Sequence, residues 1–411
     1  MILPNDVMNI IETIESAGYE AWAVGGCVRD SLLGLDPKDY DIATSCPFAV
    51  ISTLFPRTVK TGEAYGTITV LTPSIPVEVT VFRLESDYID ARHPKKVLPA
   101  HDIETDLSRR DFTINAMAWH PKRGLCDPFG GKADLKRRMI RAVGDPDIRF
   151  KEDALRILRC LRFASELDFD IESNTQESVQ NLAPTLKSIS AERISAELRR
   201  LLAGVRPQLC ALAIKYGGLA DYGLEHIKQP QLLCRIPNSA TLRLAGLLWL
   251  CMDDRSASKI QSILRTMRMD NLTIHRVKSL IHGLSMPLPY NEVELKRRFN
   301  ILKPELWDDI LSLRSVLLNE DTCETSELIN KISGQPWNRA MLAVTGNDLH
   351  ELGYDDLMVG EVLEALTELV LYQPDLNTKD ALLNYAKDYS RLKDKINEVK
   401  SRYQSLEQES I

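Results

Sequence analysis

The chain has 411 residues, of which 44% are hydrophobic and 27% are charged, so it is long enough for several cores and too apolar to be wholly disordered. Its 51 Lys and Arg residues against 58 Asp and Glu residues give a net charge of −7, which excludes a uniformly positive surface but permits a local basic groove. The densest apolar stretch, residues 244–252, is too short to span a membrane, and eight cysteines without a CxxC pair favour a reduced, cytoplasmic protein.

The predicted elements change character at about residue 140. Before it, helical segments alternate with β-rich runs at residues 21–26, 66–72 and 77–82. After it, apolar residues recur at spacings of three and four, as in residues 149–166, 191–203, 256–267 and 360–371. The pattern predicts an α+β multidomain protein with a small sheet-containing head and helical domains behind it. Residues 387–409 alternate in charge and are predicted to form an exposed, solvated helix.

Residues 24–44 read VGGCVRDSLLGLDPKDYDIAT and begin with a turn that can bind phosphate. Gly26, supported by Gly25, lies between a predicted strand and a predicted helix, where backbone N–H groups can approach an anion closely. Arg29 follows in the first helical turn, within reach of the same anion. A pair of glycines alone more often marks a plain turn, so the interpretation depends on the order of the surrounding elements.

Two carboxylates follow this turn. Asp39 and Asp41 are separated by one residue, so on a strand both face the same side. Glu78 lies in the β-rich run VEVTV and would bring a third carboxylate from a neighbouring strand. Like charges that face one way repel each other unless a divalent cation lies between them, and Mg²⁺ suits oxygen ligands together with substrate phosphates. We therefore predict a magnesium site at Asp39 and Asp41, although an isolated DxD is more often a solvated turn.

The order of these elements resembles the class II tRNA nucleotidyltransferases, the CCA-adding enzymes, and their bacterial poly(A) polymerase relatives in the polymerase β superfamily. Beyond GGCVRDSLLG and DYDIAT, the resemblance rests on RRDFTINAMA at 109–118, DPFGGKADLKRRMIRAVG at 127–144 and RFKEDALRILRCLRFA at 149–164. It extends to AERISAELRRLL at 191–202 and TGNDLHELGY at 345–354. The family fold implies a polymerase β-like head with a mixed or antiparallel sheet at 1–140, a helical neck at 141–205, an RNA-binding body at 206–300 and a tRNA-binding tail at 301–411.

The resemblance also implies an activity, the template-independent addition of C, C and A to the 3′ end of tRNA from CTP and ATP with release of pyrophosphate. It assigns two Mg²⁺ ions to Asp39 and Asp41, one to activate the RNA 3′-hydroxyl and one to hold the triphosphate. Glu78 would be the third catalytic carboxylate. The family positions that touch the nucleotide or its triphosphate are matched by Gly26, Arg29 and Arg110.

Charged residues recur at every third position of the segment 149–164, at Asp153, Arg156, Arg159 and Arg162. On one helix they form a slowly winding stripe, which by itself is commonly the polar face of an amphipathic helix. Cytosine and adenine present an amino donor beside a ring-nitrogen acceptor, whereas guanine and uracil present the reverse. A carboxylate at Asp153 and a guanidinium at Arg156 therefore accept C and A and refuse G and U. Glu152 is predicted to support Arg156, and Arg159 and Arg162 to reach the base or the phosphates.

Two segments bear on which nucleotides are added. Residues 86–97, SDYIDARHPKKV, resemble the flexible loop that the family needs for the final A, which argues against a C-only enzyme. Residues 61–70, TGEAYGTITV, resemble the CCA-adding form rather than the arginine-rich stretch of the poly(A) polymerases. An A-adding enzyme with a separate C-adding partner stays open, and a poly(A) polymerase is a further alternative. An inactive RNA-binding module would have to lack a carboxylate or Arg156, and both are present.

Two further features concern partners and added domains. Residues 132–162 hold ten Lys and Arg against five Asp and Glu, which makes them the predicted basic lining for tRNA. Because phosphate contacts release counterions, tRNA binding should weaken steeply as salt rises. The only HD pair is His101-Asp102, without a second histidine cluster, so we expect no HD phosphohydrolase domain.

Overall fold

Strands are concentrated in the first third of the chain. The structure is a computed structural model that describes residues 1–62, 66–88, 94–100 and 102–409. In chain order the strands are β1 Ala21–Val24, β2 Asp41–Thr44, β3 Thr58–Gly62, β4 Thr67–Leu71, β5 Pro76–Val81, β6 Arg83–Tyr88, β7 Pro94–Pro99, β8 Ala118–His120, β9 Gly124–Cys126, β10 Met139–Ile140 and β11 Asp170–Ile171.

Seven of these strands form one mixed sheet in the order β3-β4-β5-β2-β1-β8-β9. β2 and β5 are parallel, whereas the other neighbouring pairs of this sheet are antiparallel. All four residues of β1 are buried, as expected for a strand near the middle of a covered sheet. Because β2 lies between β1 and β5, the polar residues that begin β2 come next to β5. The predicted α+β head with a mixed sheet is confirmed.

The rest of the described chain is largely helical. Short 3-10 turns connect several of the α-helices, among them Thr113–Asn115 and Ala183–Ser188. The α-helices in chain order are α1 Asn5–Ser16, α2 Gly26–Leu32, α3 Phe48–Leu54, α4 Ile103–Ser108, α5 Gly131–Arg137, α6 Pro146–Glu152, α7 Leu155–Leu167, α8 Ser173–Leu182, α9 Ala191–Ala203, α10 Cys210–Lys215, α11 Ala240–Cys251, α12 Ala257–Thr266, α13 Asn271–Ser285, α14 Glu292–Phe299, α15 Trp307–Leu317, α16 Cys323–Lys331, α17 Gly346–Glu351, α18 Asp356–Tyr372, α19 Lys379–Ala386 and α20 Tyr389–Glu409.

The predicted continuous helix over residues 149–166 is wrong, because the chain forms α6 and α7 with a break between them. Asp153 has φ −143° and ψ 103°, which is extended backbone. Its side chain accepts a hydrogen bond from the Leu155 backbone N–H at 3.1 Å, so it caps the start of α7 instead of continuing α6. α7 then packs against α9 through buried leucines of both helices, such as Leu158 and Leu198.

The chain divides into two compact units, Met1–His275 and Arg276–Ile411, and the boundary falls within α13. The core of the second unit includes α18 and α20. The prediction of an exposed, solvated helix over residues 387–409 is wrong for one face of α20. Leu392, Ile396 and Val399 recur at spacings of four and three and are buried in that core. The predicted division into head, neck, body and tail stays a prediction.

Three segments considered in the sequence analysis lie partly outside the described residues. Residues 86–97 fall on the antiparallel pair β6 and β7, which runs from Arg83 opposite Pro99 to Tyr88 opposite Pro94. Residues 89–93 lie outside the described residues, as do 63–65 of the segment 61–70 and His101 of the HD pair. The neck segment, 141–205, is largely helical and contains one short strand, β11, which pairs in parallel with β10 just before the segment. Across the described ranges no helix has both the length and the apolar character needed to cross a membrane.

Candidate active site

A cleft of about 520 Å³ lies in the first unit, between the sheet and α7. Ten of the twelve residues predicted from the sequence line it, and the other two, Asp39 and Glu152, are not among its lining residues. The predicted residues that line it are Gly25, Gly26, Arg29, Asp41, Glu78, Arg110, Asp153, Arg156, Arg159 and Arg162. Its other lining residues include Thr67, Thr80, Arg83, Arg109, Asp111, Asn115, Phe163 and Arg200.

One wall of the cleft is acidic, and the sheet register produces it. Asp41 begins β2 and lies directly opposite Glu78 of the parallel strand β5. Asp39 precedes β2 instead of lying on it, and it is exposed. Burial raises the pKa of Asp41, Arg110 acts against this, and Glu78 and Asp39 reinforce it, so that the pKa reaches about 6. The three carboxylates therefore interact electrostatically, as the sequence suggested.

This acidic wall has few protein ligands for a metal ion. Within the described residues, no group of three or more His, Cys, Asp or Glu side chains is arranged as a complete metal-binding set. Mg²⁺ commonly uses only one or two carboxylates and takes its other ligands from water and substrate phosphates. The donor atoms at Asp41 and its neighbours are all oxygens, which is the ligand type that Mg²⁺ prefers. The site thus fits a cation that is completed by a phosphate ligand.

Two arginines of the cleft, Arg29 and Arg110, lie next to the glycine turn that follows β1. Gly25 has φ +75°, and a Cβ atom added there would lie 2.8 Å from Nη1 of Arg110. A side chain at this position would therefore strain the backbone and require the Arg110 guanidinium to shift. Arg110 donates to Asp106 at 3.2 Å, and its buried Nε has no hydrogen-bond partner among the residues that the structure describes. Arg29 donates from Nη1 to the Asn115 side chain at 2.7 Å and from Nε to Asp30 at 2.8 Å.

Asp153 and Arg156 meet the cleft at the break between α6 and α7, where each is held by a distant residue. Asp153 is 19% exposed, and Arg193 of α9 donates to both of its oxygens, at 3.3 and 2.8 Å. Arg156 is buried and donates to Glu152 at 2.8 Å, as predicted, and to the Arg109 carbonyl oxygen at 3.0 Å. The two side chains therefore line one cavity, but they are positioned by separate partners and not by neighbouring turns of one helix.

The next two arginines of α7 differ in exposure. Arg159 is 32% exposed and donates from Nε and Nη2 to Asp111, at 2.8 and 2.6 Å. Burial alone would raise the pKa of Asp111, but Arg159 and Arg156 bring the pKa down to about 2. Arg162 is only 1% exposed and is paired with Glu197 at 2.5 Å and Glu166 at 2.6 Å. Its guanidinium is held by these carboxylates while the residue also lines the cleft, and its predicted contact with a base or phosphate stays a prediction.

Sequence reasoning missed the residues of α9 that hold this site together. Arg193 and Glu197 face α7, and Arg200 continues the same face and pairs with Glu166 at 3.0 Å. The signal was present in AERISAELRRLL, where charged residues recur at spacings of four and three along one helical face. Asp111 was also missed as the partner of Arg159, since the two residues are far apart in the sequence. No local pattern reveals that pair.

The geometry indicates what the cleft can bind. A cation fits beside the carboxylates, and a polyanion fits between Arg29 and Arg110. At the other end, a carboxylate acceptor and a guanidinium donor can bind a heterocycle that presents a donor beside an acceptor. A nucleoside triphosphate combines such a polyanion with such a heterocycle, and its phosphates can complete the ligand set of a cation.

Comparison with known proteins gives a consistent result. Residues 21–141 match the family described as "Poly A polymerase head domain", and residues 168–229 match "Probable RNA and SrmB- binding site of polymerase A". The CCA-adding enzyme of Lactiplantibacillus plantarum is 35% identical over 92% of this chain and 94% of its own length. That of Levilactobacillus brevis is 36% identical over 91% and 95%. The crystal structure of the Bacillus stearothermophilus CCA-adding enzyme in complex with CTP matches with a TM-score of 0.77 at 28% identity, covering 96% of this chain and 100% of that one.

Proposed function

Because the chain belongs to the CCA-adding enzyme family, we propose that it adds C, C and A in turn to the 3′ end of tRNA. CTP and ATP are the substrates, pyrophosphate is the second product, and no nucleic-acid template is used. The observation that carries the proposal is one cleft that holds both the carboxylates Asp41 and Glu78 and the pair Asp153 and Arg156. Chemistry at the phosphate and selection of the base are thus possible on the same bound nucleotide.

We propose that Asp39 and Asp41 hold two Mg²⁺ ions, with Glu78 as the third catalytic carboxylate. The support is the oxygen donor set and the raised pKa of Asp41, which burial and neighbouring carboxylates cause and which a bound cation would relieve. When bound, the cations lower the pKa of the RNA 3′-hydroxyl and neutralise charge on the triphosphate. The protein contributes the position of the carboxylates, which the register of β2 and β5 determines.

Arg29 and Arg110 bind the triphosphate in this proposal, with Gly25 and Gly26 allowing the close approach. The support is the unpartnered buried Nε of Arg110 and the space that the missing Cβ of Gly25 leaves for its guanidinium. A phosphate oxygen is a suitable acceptor for such a donor. The reaction is then an in-line attack of the RNA 3′-hydroxyl on the α-phosphorus, and the chain contributes mainly positioning and charge complementarity.

Asp153 and Arg156 choose the base in this proposal. Asp153 accepts from the amino group of C or A, and Arg156 donates to the adjacent ring nitrogen. The described hydrogen bonds use three of about four acceptor positions of the Asp153 carboxylate and three of the five N–H groups of Arg156. Both residues thus keep hydrogen-bonding capacity toward the cleft. Arg159 can reach the nucleotide because it is partly exposed, and Arg162 lines the same cleft while it is held by Glu197.

We also propose a cytoplasmic location. All eight cysteines are free thiols, as is typical of proteins in a reducing compartment. Burial raises the pKa of Cys27 and of Cys46 to about 11, so both are poor thiolate nucleophiles and behave as small apolar residues.

The deciding experiment measures incorporation of labelled CTP and ATP into three tRNAs that end before C, after one C and after CC. A CCA-adding enzyme extends all three to a mature end and then stops. An A-adding enzyme uses only the third tRNA, and a poly(A) polymerase continues to add A beyond the first. Failure to extend any of the three tRNAs in the presence of Mg²⁺ would refute the proposed function.

A further inference from the structure

A buried amide links the two sides of the cleft. Asn115 ends the 3-10 turn Thr113–Asn115 and is 6% exposed. Its Oδ1 accepts from Nη1 of Arg29 at 2.7 Å, and its Nδ2 donates to Oδ1 of Asp111 at 3.1 Å. A guanidinium only donates and an ionised carboxylate only accepts, so the amide has one possible orientation. Asn115 is thus held by two charged partners, one that donates a hydrogen bond to it and one that accepts a hydrogen bond from it.

Each partner of Asn115 belongs to a different part of the proposed nucleotide site. Arg29 lies on α2, which follows the glycine turn, and Asp30 holds its Nε at 2.8 Å. Asp111 holds Arg159 of α7 through two hydrogen bonds. A continuous hydrogen-bonded path therefore runs from Arg29 through Asn115 and Asp111 to Arg159. It connects the end of the cleft assigned to the triphosphate with the end assigned to the base.

The chemistry of this position favours asparagine. An aspartate would keep the acceptor for Arg29 but would place a second negative charge against Asp111, in a site shielded from water. A leucine has similar bulk but would remove the acceptor and the donor together. Either change would leave a buried charged group without a hydrogen bond that it now makes, which is costly in a buried site.

We propose that Asn115 is a positioning residue for nucleotide selection. Its Oδ1 fixes the plane of the Arg29 guanidinium, and its Nδ2 keeps the Asp111 carboxylate turned toward Arg159. The inference rests on the proposed function and extends it, because grip on the triphosphate and discrimination between bases become coupled through one side chain. Through this coupling, a wrongly placed base would weaken the binding of its own triphosphate.

Two substitutions separate the two ends of the amide. Asn115→Asp keeps an acceptor for Arg29 and removes the donor to Asp111, whereas Asn115→Leu removes both. The matched controls are Asn9→Asp and Asn9→Leu, since Asn9 lies exposed on α1, outside the cleft. The measurement is kcat and KM for CTP, ATP, UTP and GTP on tRNA that ends before C or after CC, with thermal melting of each variant.

We expect Asn115→Asp to lose about tenfold in the ratio of kcat/KM for CTP over UTP, while its KM for CTP rises less than about threefold. Asn115→Leu should lose the same discrimination and also raise KM for CTP and ATP by about tenfold. A purely structural role predicts instead that both variants lower kcat/KM for all four nucleotides alike, in step with their melting temperatures. That result, or unchanged ratios in both variants, overturns the inference while wild-type extension of tRNA upholds the proposed function. Failure of the wild-type protein to extend tRNA overturns both.

Discussion

The acidic wall of the cleft and the arginines of α7 differ in how far their charges are balanced by neighbouring residues. Asp41 and Glu78 are brought together by the sheet register and carry like charges that their neighbours only partly offset. Along α7, by contrast, Arg156, Arg159 and Arg162 are each paired with a carboxylate. The first region is held by backbone hydrogen bonds and lacks charge balance, so it needs a ligand. The second is balanced without one, so its geometry is already fixed when a nucleotide arrives.

The largest loss of activity should come from substitutions in the acidic wall, where the charges are not balanced. Asp39→Ala or Asp41→Ala should lower transfer of A onto tRNA ending in CC by at least about a thousandfold, because the cations lose their protein ligands. Affinity for tRNA should stay within about threefold of wild type, since these carboxylates do not hold RNA. The measurements are single-turnover transfer and tRNA binding. Asp36→Ala, at an exposed position in the same turn, is the control. Near wild-type turnover at saturating Mg²⁺ would remove Asp39 and Asp41 from the site.

Substitution of the two residues proposed to select the base should alter the preference among nucleotides more than the rate of transfer. Asp153→Ala or Arg156→Ala should reduce the preference for C and A over U and G by about 10- to 100-fold, since each base contact contributes about 1–3 kcal/mol. Ratios of kcat/KM for the four nucleotides test this, because a general loss of folding lowers all four alike. Asp147→Ala provides the control, since this aspartate of α6 pairs with Lys151 at 3.9 Å and is not among the lining residues of the cleft. Wild-type ratios in both variants would show that these residues do not select the base.

The buried charge of Asp41 should also cost stability, and the neighbouring carboxylates should add to this cost. In the native state the pKa of Asp41 is about 6, raised chiefly by burial, above the ordinary value of 3.8. The native protein therefore binds the proton more tightly than the unfolded chain does, and stability falls as pH rises between these two values. Asp41→Asn resembles the protonated form. Without metal at pH 7.5 it should increase the free energy of unfolding by about 1–3 kcal/mol.

This gain should fall to below about 1 kcal/mol near pH 4, where the wild-type carboxyl is protonated in the native state and about half protonated in the unfolded chain. Denaturant unfolding in the presence of a chelator, at both pH values, tests the expectation. Asp36→Asn is the matched control, because the same chemical change is made at an exposed site. A loss of stability at pH 7.5, or a gain of equal size at pH 4, would contradict it.

A smaller effect should follow when the hydrogen bonds that hold the Asp153 carboxylate are removed. Arg193→Met leaves Asp153 without its two guanidinium hydrogen bonds, so the carboxylate can rotate away from the base. We expect about a tenfold loss of preference for C over U, most of it restored in Arg193→Lys. Arg199→Met is matched, because Arg199 lies on the same helix and also pairs with an aspartate, Asp270, at 3.5 Å. Equal losses in the Arg193 and Arg199 variants would point to general destabilisation of α9.

The smallest effect concerns charges that lie outside the cleft. Lys136 and Arg137 of α5 are exposed, unlike the enclosed arginines of α7. Replacing both with glutamine should weaken tRNA binding a few-fold and reduce the slope of log K against log salt by about 1–2. Lys122→Gln, at an exposed position in the head, is the control. An unchanged slope would exclude α5 from the tRNA-binding surface.

Sequence reasoning succeeded where local patterns decide the structure. The runs 66–72 and 77–82 correspond to β4 and β5, and 191–203 corresponds to α9, because alternation and helical periodicity are complete within each segment. It failed at Asp153, where the spacing of three continues across the break between α6 and α7. The conformation there is held by Arg193 and by the Arg109 carbonyl, which come from distant parts of the chain. No property of residues 149–166 alone reports those contacts.

The same distinction applies to the candidate site. Asp39, Asp41 and Glu78 could be proposed from residue type and alternation, and the parallel pairing of β2 with β5 brings Asp41 and Glu78 together. Burial of Arg162 could not be proposed from the sequence. The spacing of three between arginines is the same whether the guanidinium is in contact with water or with Glu197. Its enclosure depends on how α9 packs against α7, which is a tertiary property.

The pairing of Asp41 with Glu78 restricts the insertions and deletions that the chain can accommodate just before β5. Val77 and Val79 flank Glu78 and are fully buried, whereas Glu78 itself is exposed toward the cleft. Side chains alternate along a strand, so inserting or deleting one residue before β5 would turn Glu78 into the core and a valine toward Asp41. A change of two residues would preserve the alternation. The segment between β4 and β5 should therefore tolerate length variants in steps of two far better than in steps of one.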